Sequence, residues 1–164
     1  NDQPDSMNMT TKESRYETLM AQVAALIEGE TCRMSVLANV TAALHDAFPE
    51  IFFWVGFYMV EDGELRLGPF QGPVACMHIA CGKGVCGTAW AEKRTLVVPD
   101  VEDFPGHIAC SSLSRSEIVV PVFGRGGSVK AVIDVDSCSL GAFDEVDARY
   151  LEKIAKNLSK ELAL

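Results

Sequence analysis

Residues 51–60 read IFFWVGFYMV, and after Glu61-Asp62-Gly63 the chain continues as ELRLGPF. Aromatic and branched side chains are enriched in strands, and an Asp-Gly pair between two such runs is a strong signal for a tight turn. The stretch therefore predicts a β-hairpin. Trp54 and Tyr58 stand four residues apart on its first strand, so their side chains share one face, where they either wall a small pocket or belong to the core.

Three further strands are predicted after this hairpin, over residues 95–98, 117–123 and 129–136. The last two are joined by Gly124-Arg125-Gly126-Gly127, and its glycines supply the positive φ angles that a tight turn needs. The sequence therefore predicts a second hairpin.

Helical patterns flank the strands on both sides. Thr10 and Glu13 resemble a capping box ahead of an amphipathic helix that ends at Gly29, and a second helical pattern ends at Pro49. Asp144 caps a final helix that runs to the C-terminus. Two helices, a run of antiparallel hairpins and one closing helix predict an α+β fold.

Size and charge limit the function. The chain has 164 residues, of which 48% are hydrophobic, enough for one compact domain; residues 1–12 form a polar tail and 13–164 the predicted domain. The net charge of −9, without a basic cluster, argues against nucleic acid and anionic membranes as partners. No apolar run reaches the roughly 18 residues of a membrane span, and the start lacks the apolar segment of a signal peptide. We expect a cytoplasmic protein.

Four of the six cysteines fall between residues 75 and 117, and they are Cys76, Cys81, Cys86 and Cys110. In a reducing compartment such cysteines act more often as metal ligands or redox thiols than as structural disulfides. His78 and His107 could complete a zinc site with them. Structural zinc sites usually pair their ligands through two to four residues and close with a second pair, which is absent from this sequence, so the spacing favours redox chemistry with no metal.

Cys110 is the best candidate nucleophile. It lies among small residues after Gly106-His107 and before a serine-rich stretch. A reactive thiolate needs such a polar, partly open environment, and a second thiol must be able to attack its oxidised form. His107 is a candidate support for the thiolate, although a single loop histidine is often only a surface residue.

The segment Gly82-Lys83-Gly84-Val85-Cys86-Gly87 spells the G-x-G-x-x-G pattern of dinucleotide-binding proteins. That pattern is informative only inside a βαβ unit with a buried parallel strand ahead of it, and none is predicted here. We interpret the glycines as leading into a short helix over residues 85–91.

Three carboxylates are predicted to converge. Asp134 and Asp136 alternate on one strand, so they point to the same face, and Glu117 begins the preceding strand. Converging carboxylates repel one another unless a cation or a shared proton relieves them. The group could hold an ammonium, a metal ion or the proton of a general acid; alternatively these are solvated charges at strand ends.

Taken together, these motifs closely resemble the free methionine-R-sulfoxide reductases, small enzymes of the GAF domain fold. The resemblance rests on C-G-K-G-V-C-G-T-A around Cys86, F-P-G-H-I-A-C ending at Cys110, S-E-I-V-V-P around Glu117 and the D-V-D-S that begins at Asp134. It implies a GAF-like fold, with a central antiparallel sheet, the N- and C-terminal helices on one face and the cysteine-bearing loops on the other.

The resemblance also implies the chemistry. Cys110 would be the catalytic cysteine, with Cys86 and Cys76 as resolving or relaying thiols. The substrate-binding residues would be Glu117, Asp134, Asp136, Trp54 and Tyr58. The reaction would reduce free L-methionine (R)-S-oxide through a sulfenic acid and an intramolecular disulfide, with thioredoxin and NADPH as the external reducing system and no bound cofactor.

Two alternatives to the enzyme and one question of assembly remain open. GAF domains in general are small-ligand sensors, so the first alternative is a non-catalytic ligand or redox sensor. The second alternative is a structural zinc protein. GAF domains often pair through their terminal helices, so a homodimer is possible.

Overall fold

The structure is a computed structural model that describes residues 9–107 and 111–164. These residues form four α-helices, six strands and one short 3-10 helix. In chain order the elements are α1 (Thr11–Ile27), α2 (Arg33–Ala47), β1 (Trp54–Glu61), β2 (Glu64–Gln71), β3 (His78–Ala80), α3 (Gly84–Glu92), β4 (Leu96–Val98), the 3-10 helix (Val101–Asp103), β5 (Ser116–Phe123), β6 (Val129–Ser137) and α4 (Glu145–Glu161).

The strands form one sheet in the order β3-β2-β1-β6-β5-β4, and every neighbouring pair is antiparallel. Both predicted hairpins are confirmed. Asp62 and Gly63 make the first turn with φ angles of 50° and 78°. The sequence did not predict β3, because three residues are too few to show an alternating pattern.

The helix ends follow from their capping residues. The Thr10 side chain accepts a hydrogen bond from the Glu13 amide, so α1 begins at Thr11. At α4 the Asp144 side chain accepts from the backbone of Asp147, and the Asp147 side chain accepts from the Asp144 amide, a reciprocal capping box.

One face of the sheet carries α1, α2 and α4 over the larger hydrophobic core. A buried polar contact joins two of these helices: the Tyr16 hydroxyl donates to Asp147 Oδ1 at 2.5 Å. Lys12 donates to the other oxygen of the same carboxylate at 2.8 Å. Buried polar groups of this kind are tolerated because each one is hydrogen-bonded.

The opposite face carries α3 and the loops around it over a second, smaller core that includes Trp54, Tyr58 and Cys86. The predicted α+β, GAF-like arrangement, with terminal helices on one face and the cysteine-bearing segments on the other, is confirmed. No helix in the described ranges is long and apolar enough to cross a bilayer.

The glycine pattern before α3 serves packing. Gly84 has a φ of +63°, and a Cβ atom at Gly87 would lie 2.5 Å from the Ala80 carbonyl oxygen, so α3 can approach β3 only because glycine stands there. The strand ahead of the pattern is the three-residue, antiparallel β3. The motif therefore lacks the parallel βαβ surroundings of a dinucleotide site.

Candidate active site

The register of three neighbouring strands places the predicted substrate-binding residues in one row. Asp136 on β6 pairs with Trp54 on β1 and with Glu117 on β5. Asp134 lies two residues before Asp136 on β6, and Tyr58 lies four residues after Trp54 on β1. Both side chains therefore point to the same face as Asp136 and Trp54. The predicted convergence is confirmed, and the row forms the floor of a pocket under α3.

Helix α3 covers this floor and brings Cys86 onto it. The Cys86 sulfur and one carboxylate oxygen each of Glu117 and Asp134 all lie within 4.8 Å of one another. Cys86 is 4% exposed, Glu117 6% and Asp134 5%. The three are therefore buried together rather than solvated at strand ends, which rules out the alternative of surface charges for Glu117 and Asp134.

Burial and mutual repulsion shift the acidity of the cluster. Burial raises the pKa of Glu117 well above its usual range, and the charges of Asp134 and Asp136 raise it further. Burial also raises the pKa of Asp136 strongly, with an added contribution from Asp134. Burial raises the pKa of Asp134 too, but hydrogen bonds from the Glu117 carboxyl and the Cys86 thiol oppose the shift. Asp134 is thus the carboxyl of the three whose ionisation is helped by hydrogen bonds, whereas Glu117 and Asp136 lose their protons less readily.

Asp134 Oδ1 is buried and receives no hydrogen bond from a backbone amide or from another permanent donor of the described residues. The neighbouring groups that can donate to Asp134 are the Glu117 carboxyl and the Cys86 thiol, and both donate only while protonated. A buried carboxylate oxygen without a permanent donor is costly. The oxygen is therefore available to a cationic ligand.

Aromatic side chains form one wall of the pocket. The rings of Trp54 and Tyr58 stack with centroids 5.9 Å apart, and Phe70 stacks on Trp54 from the other side at 5.2 Å. The Trp54 indole donates to the Pro73 carbonyl at 3.0 Å. The Tyr58 hydroxyl donates to the Cys76 carbonyl at 2.9 Å, which ties the wall to the segment that carries a second cysteine.

Further residues line the pocket that the sequence did not single out as binding residues. The polar ones are Lys83, Ser111 and Ser114, and Val85 and Ile79 add apolar surface. Lys83 is the N-cap of α3, inside the glycine pattern. Its position three residues before Cys86 in the sequence was the signal that could have indicated a place in the site.

His107 also lines the pocket, with its Nε2 atom 3.8 Å from Glu117 Oε1. Burial lowers the pKa of His107, and the Asp134 charge opposes this shift. Burial therefore favours the neutral form of the imidazole, which lies beside the carboxylate cluster. It is a functional candidate rather than a surface residue.

The cysteines differ sharply in environment. Cys76 is disulfide-bonded. Cys86 is a free, buried thiol, and burial raises its pKa well above the usual value, with the carboxylates adding to the shift. Cys32, Cys81 and Cys138 are free and exposed. Cys110, the predicted nucleophile, lies outside the described residues.

The zinc grouping that the sequence analysis weighed as an alternative is not assembled within residues 9–107 and 111–164. Cys81 is exposed, and the ring of His78 makes a 2.7 Å hydrogen bond with Glu64 on β2. The ligand-type atoms that the fold does gather belong to Cys86, Glu117 and Asp134.

The arrangement can bind a small molecule that has both a cationic and an apolar part. Carboxylates provide the cation site, protonated carboxyls provide acids, and the stacked rings offer an apolar surface beside them. Groups with strongly shifted pKa values in a cleft are typical of catalytic sites.

Comparison with known proteins supports the GAF-like fold and the family that the sequence motifs resemble. Residues 35–162 match the GAF domain. The chain is 56% identical over 149 residues to GAF domain-containing protein A of Dictyostelium discoideum, covering 90% of this chain and 92% of that protein. It is 43% identical over 155 residues to the free methionine-R-sulfoxide reductase of Saccharomyces cerevisiae, covering 91% and 86% of the two chains.

A solved structure is similar over the same span. The free methionine-R-sulfoxide reductase of Neisseria meningitidis, in complex with its substrate, superposes with a TM-score of 0.89 at 49% identity, and the match covers 94% of this chain and 92% of that one. Because sequence identity and fold agree over nearly the whole length, the chain belongs to the GAF domain family and, within it, to the free methionine-R-sulfoxide reductases.

Proposed function

We propose that this protein reduces free methionine-R-sulfoxide to methionine. The observation that carries the proposal is the group formed by the buried Glu117 and Asp134 and the half-buried Asp136, beside the stacked rings of Trp54 and Tyr58. The free amino acid has an ammonium that the carboxylates can hold and an S-methyl group that the rings can cover. Relatives that bear the name of this activity support the same substrate.

Cys110 attacks the sulfoxide sulfur as a thiolate in the proposed first step. One carboxyl of the cluster gives its proton to the sulfoxide oxygen, and the raised pKa values of Glu117 and Asp136 favour the protonated form that this step requires. The oxygen ends on Cys110 as a sulfenic acid, methionine leaves, and two electrons have passed from the cysteine sulfur to the methionine sulfur.

Cys76 is the proposed resolving thiol. Its disulfide-bonded state supports this role, whereas Cys86 is a buried thiol with a raised pKa, which makes it a poor attacking group. Condensation of the Cys76 thiol with the sulfenic acid forms the disulfide and releases water. Cys86 instead donates a hydrogen bond to Asp134 and helps to shape the pocket.

An external dithiol closes the proposed cycle. Attack of its thiolate on the disulfide forms a mixed disulfide, which its second thiol resolves, so that the enzyme returns to the reduced state. Thioredoxin, reduced at the expense of NADPH, is the proposed donor, and such a cycle suits the cytoplasm as the proposed location. The cycle needs no bound cofactor.

The proposal is tested with racemic free methionine sulfoxide, thioredoxin, thioredoxin reductase and NADPH. Methionine formation should stop when about half of the substrate is consumed, and chiral analysis should find only the S epimer remaining. Consumption of the S epimer would contradict the assigned stereochemistry. Absence of turnover, with the cysteines verified as reduced, would reject catalysis and favour a ligand-sensing role.

A further inference from the structure

We infer that Cys86, Glu117 and Asp134 form a binding site for a thiophilic divalent cation such as Zn²⁺, and that the bound ion blocks the substrate pocket. The site uses side chains that the proposed reaction needs in their metal-free form. The metal therefore acts as an inhibitor and not as a cofactor.

The donor set and its spacing fit such an ion. One sulfur and two carboxylate oxygens lie within 4.8 Å of one another. Zinc holds sulfur at about 2.3 Å and oxygen at about 2.0–2.2 Å, which places tetrahedral ligand atoms roughly 3.3–3.8 Å apart. Side-chain rotations that move the three ligand atoms by on the order of 1 Å would bring them around one ion.

Asp134 supplies a second, independent indication. Its side chain is buried and lines the pocket, and Oδ1 has no permanent hydrogen-bond donor among the described residues. A cation bonded to that oxygen removes the cost of leaving it unpaired. The metal competes with protons for Cys86 and Glu117, because ligands coordinate in their deprotonated forms.

The chemistry of the set selects the kind of ion. Calcium and magnesium require six or more oxygen ligands, or several waters, and gain nothing from a thiolate. Thiolate sulfur combined with carboxylate oxygen in a four-coordinate site suits zinc and its softer analogue cadmium. His107, whose Nε2 lies 3.8 Å from Glu117 Oε1, is a zinc-type ligand at the edge of the same group.

Metal and substrate should exclude each other. The carboxylates that would coordinate the ion are the ones that the proposed function assigns to the substrate ammonium. Only this competition rests on the proposed function; the metal site itself depends on the geometry alone.

Cadmium binding to the isolated protein provides the test, read from the ultraviolet absorption of the cadmium–thiolate bond. A background variant with Cys32, Cys81 and Cys138 replaced by serine removes the exposed thiols. The protein is used in its oxidised form, in which Cys76 is disulfide-bonded. A thiol assay should then lose one thiol per chain when Cys86→Ala is added to this background.

The expected result is saturable binding of one Cd²⁺ per chain, displaced by Zn²⁺ and weakened in proportion to added free methionine. Adding Cys86→Ala should abolish the absorption band. Glu117→Gln and Asp134→Asn, which conserve side-chain size, should each weaken binding at least about tenfold, since even changes outside the ligand shell cost that much. Circular dichroism verifies that each variant is folded.

Absence of a saturable band, or a band that survives Cys86→Ala, overturns the metal site. Metal affinity unchanged in both carboxylate variants overturns it as well. An enzyme that turns over but binds no Cd²⁺ rejects only this inference, whereas a protein that binds Cd²⁺ but does not reduce methionine sulfoxide retains the metal site and rejects the proposed function.

Discussion

Glu117 and Asp136 stand directly opposite each other across the β5–β6 ladder, and both have pKa values raised well above the usual range. Like charges at such positions destabilise a sheet. The fold tolerates the pair because the carboxyls can remain protonated or share a cation. The protonation of this cross-strand pair therefore affects both the stability of the domain and its ability to donate a proton.

The first prediction concerns stability against pH. A carboxyl whose pKa is raised on folding binds more protons in the folded state, so stability is full below its ordinary pKa of about 4 and decreases as pH rises towards the folded value. Glu117→Gln removes one such group. Its melting temperature should exceed that of the wild type by more at pH 8 than at pH 5.

Thermal melts at the two pH values check this, with Glu50→Gln as control. Glu50 is an exposed partner of Arg15 on the helical side. A difference between Glu117→Gln and the wild type that shrinks as pH rises would contradict the proposed protonation of the cluster.

The second prediction concerns the pH dependence of reduction. The charge of Asp136 raises the pKa of Glu117, so Asp136→Asn should lower that pKa. Glu117, the proposed acid, should then lose its proton at lower pH. The falling alkaline limb of the single-turnover rate should move to lower pH. Asp62→Asn, in the exposed β1–β2 turn, should leave the limb unchanged. A limb that moves to higher pH in Asp136→Asn would exclude Glu117 as the proton donor.

The sequence alone predicted much of this site, for a simple reason. Alternation in strands fixes which side chains share a face, so Trp54 with Tyr58 and Asp134 with Asp136 could be paired before any coordinates. Short-range patterns do not report which helix covers a face. The burial of Cys86 therefore escaped prediction: the sequence placed Cys86 in a short helix over residues 85–91 but did not show that this helix packs it against the carboxylates.

The third prediction separates the cysteines. Cys110→Ser should abolish reduction even with excess dithiothreitol, because it removes the proposed nucleophile. Cys76→Ser should keep one turnover per chain and lose thioredoxin-dependent cycling. Cys81→Ser, at an exposed thiol, should match the wild type in both assays. Single-turnover methionine yield and NADPH consumption measure the two quantities.

Two results would contradict this division of roles. Undiminished cycling in Cys76→Ser would show that another thiol resolves the sulfenic acid, and full turnover by Cys110→Ser would reject the mechanism.

The fourth prediction concerns the aromatic wall. Gly72 has a φ of +139°, and a Cβ atom there would lie 2.6 Å from Trp54 Cδ1. Gly72→Ala should therefore displace the indole and also strain the backbone. The stability of the protein should fall by about 1–3 kcal/mol. KM for methionine sulfoxide should increase because the wall moves.

Gly63→Ala is the matched control. Gly63 also has a positive φ, +78°, but nothing lies within 4 Å of the added Cβ atom, so the substitution strains the backbone without touching the site. It should lower the melting temperature and leave KM unchanged. Equal KM values in Gly72→Ala and the wild type would show that the position of Trp54 does not matter for binding.

The fifth prediction concerns the choice of free amino acid over blocked substrate. An N-acetyl group removes the ammonium and leaves buried carboxylate unpaired, which costs on the order of 2–5 kcal/mol, or roughly 30-fold to several thousand-fold in kcat/KM. Asp134→Asn removes the charge that creates this penalty. The variant should therefore lose activity mainly on the free substrate, and the ratio of kcat/KM between free and N-acetylated methionine sulfoxide should fall at least about tenfold.

Since Asp134 Oδ1 has no permanent donor, asparagine should leave the pocket intact, as a circular dichroism spectrum can verify. If Asp134→Asn lowered kcat/KM equally for both substrates, Asp134 would act in the chemical step and the ammonium would be held elsewhere.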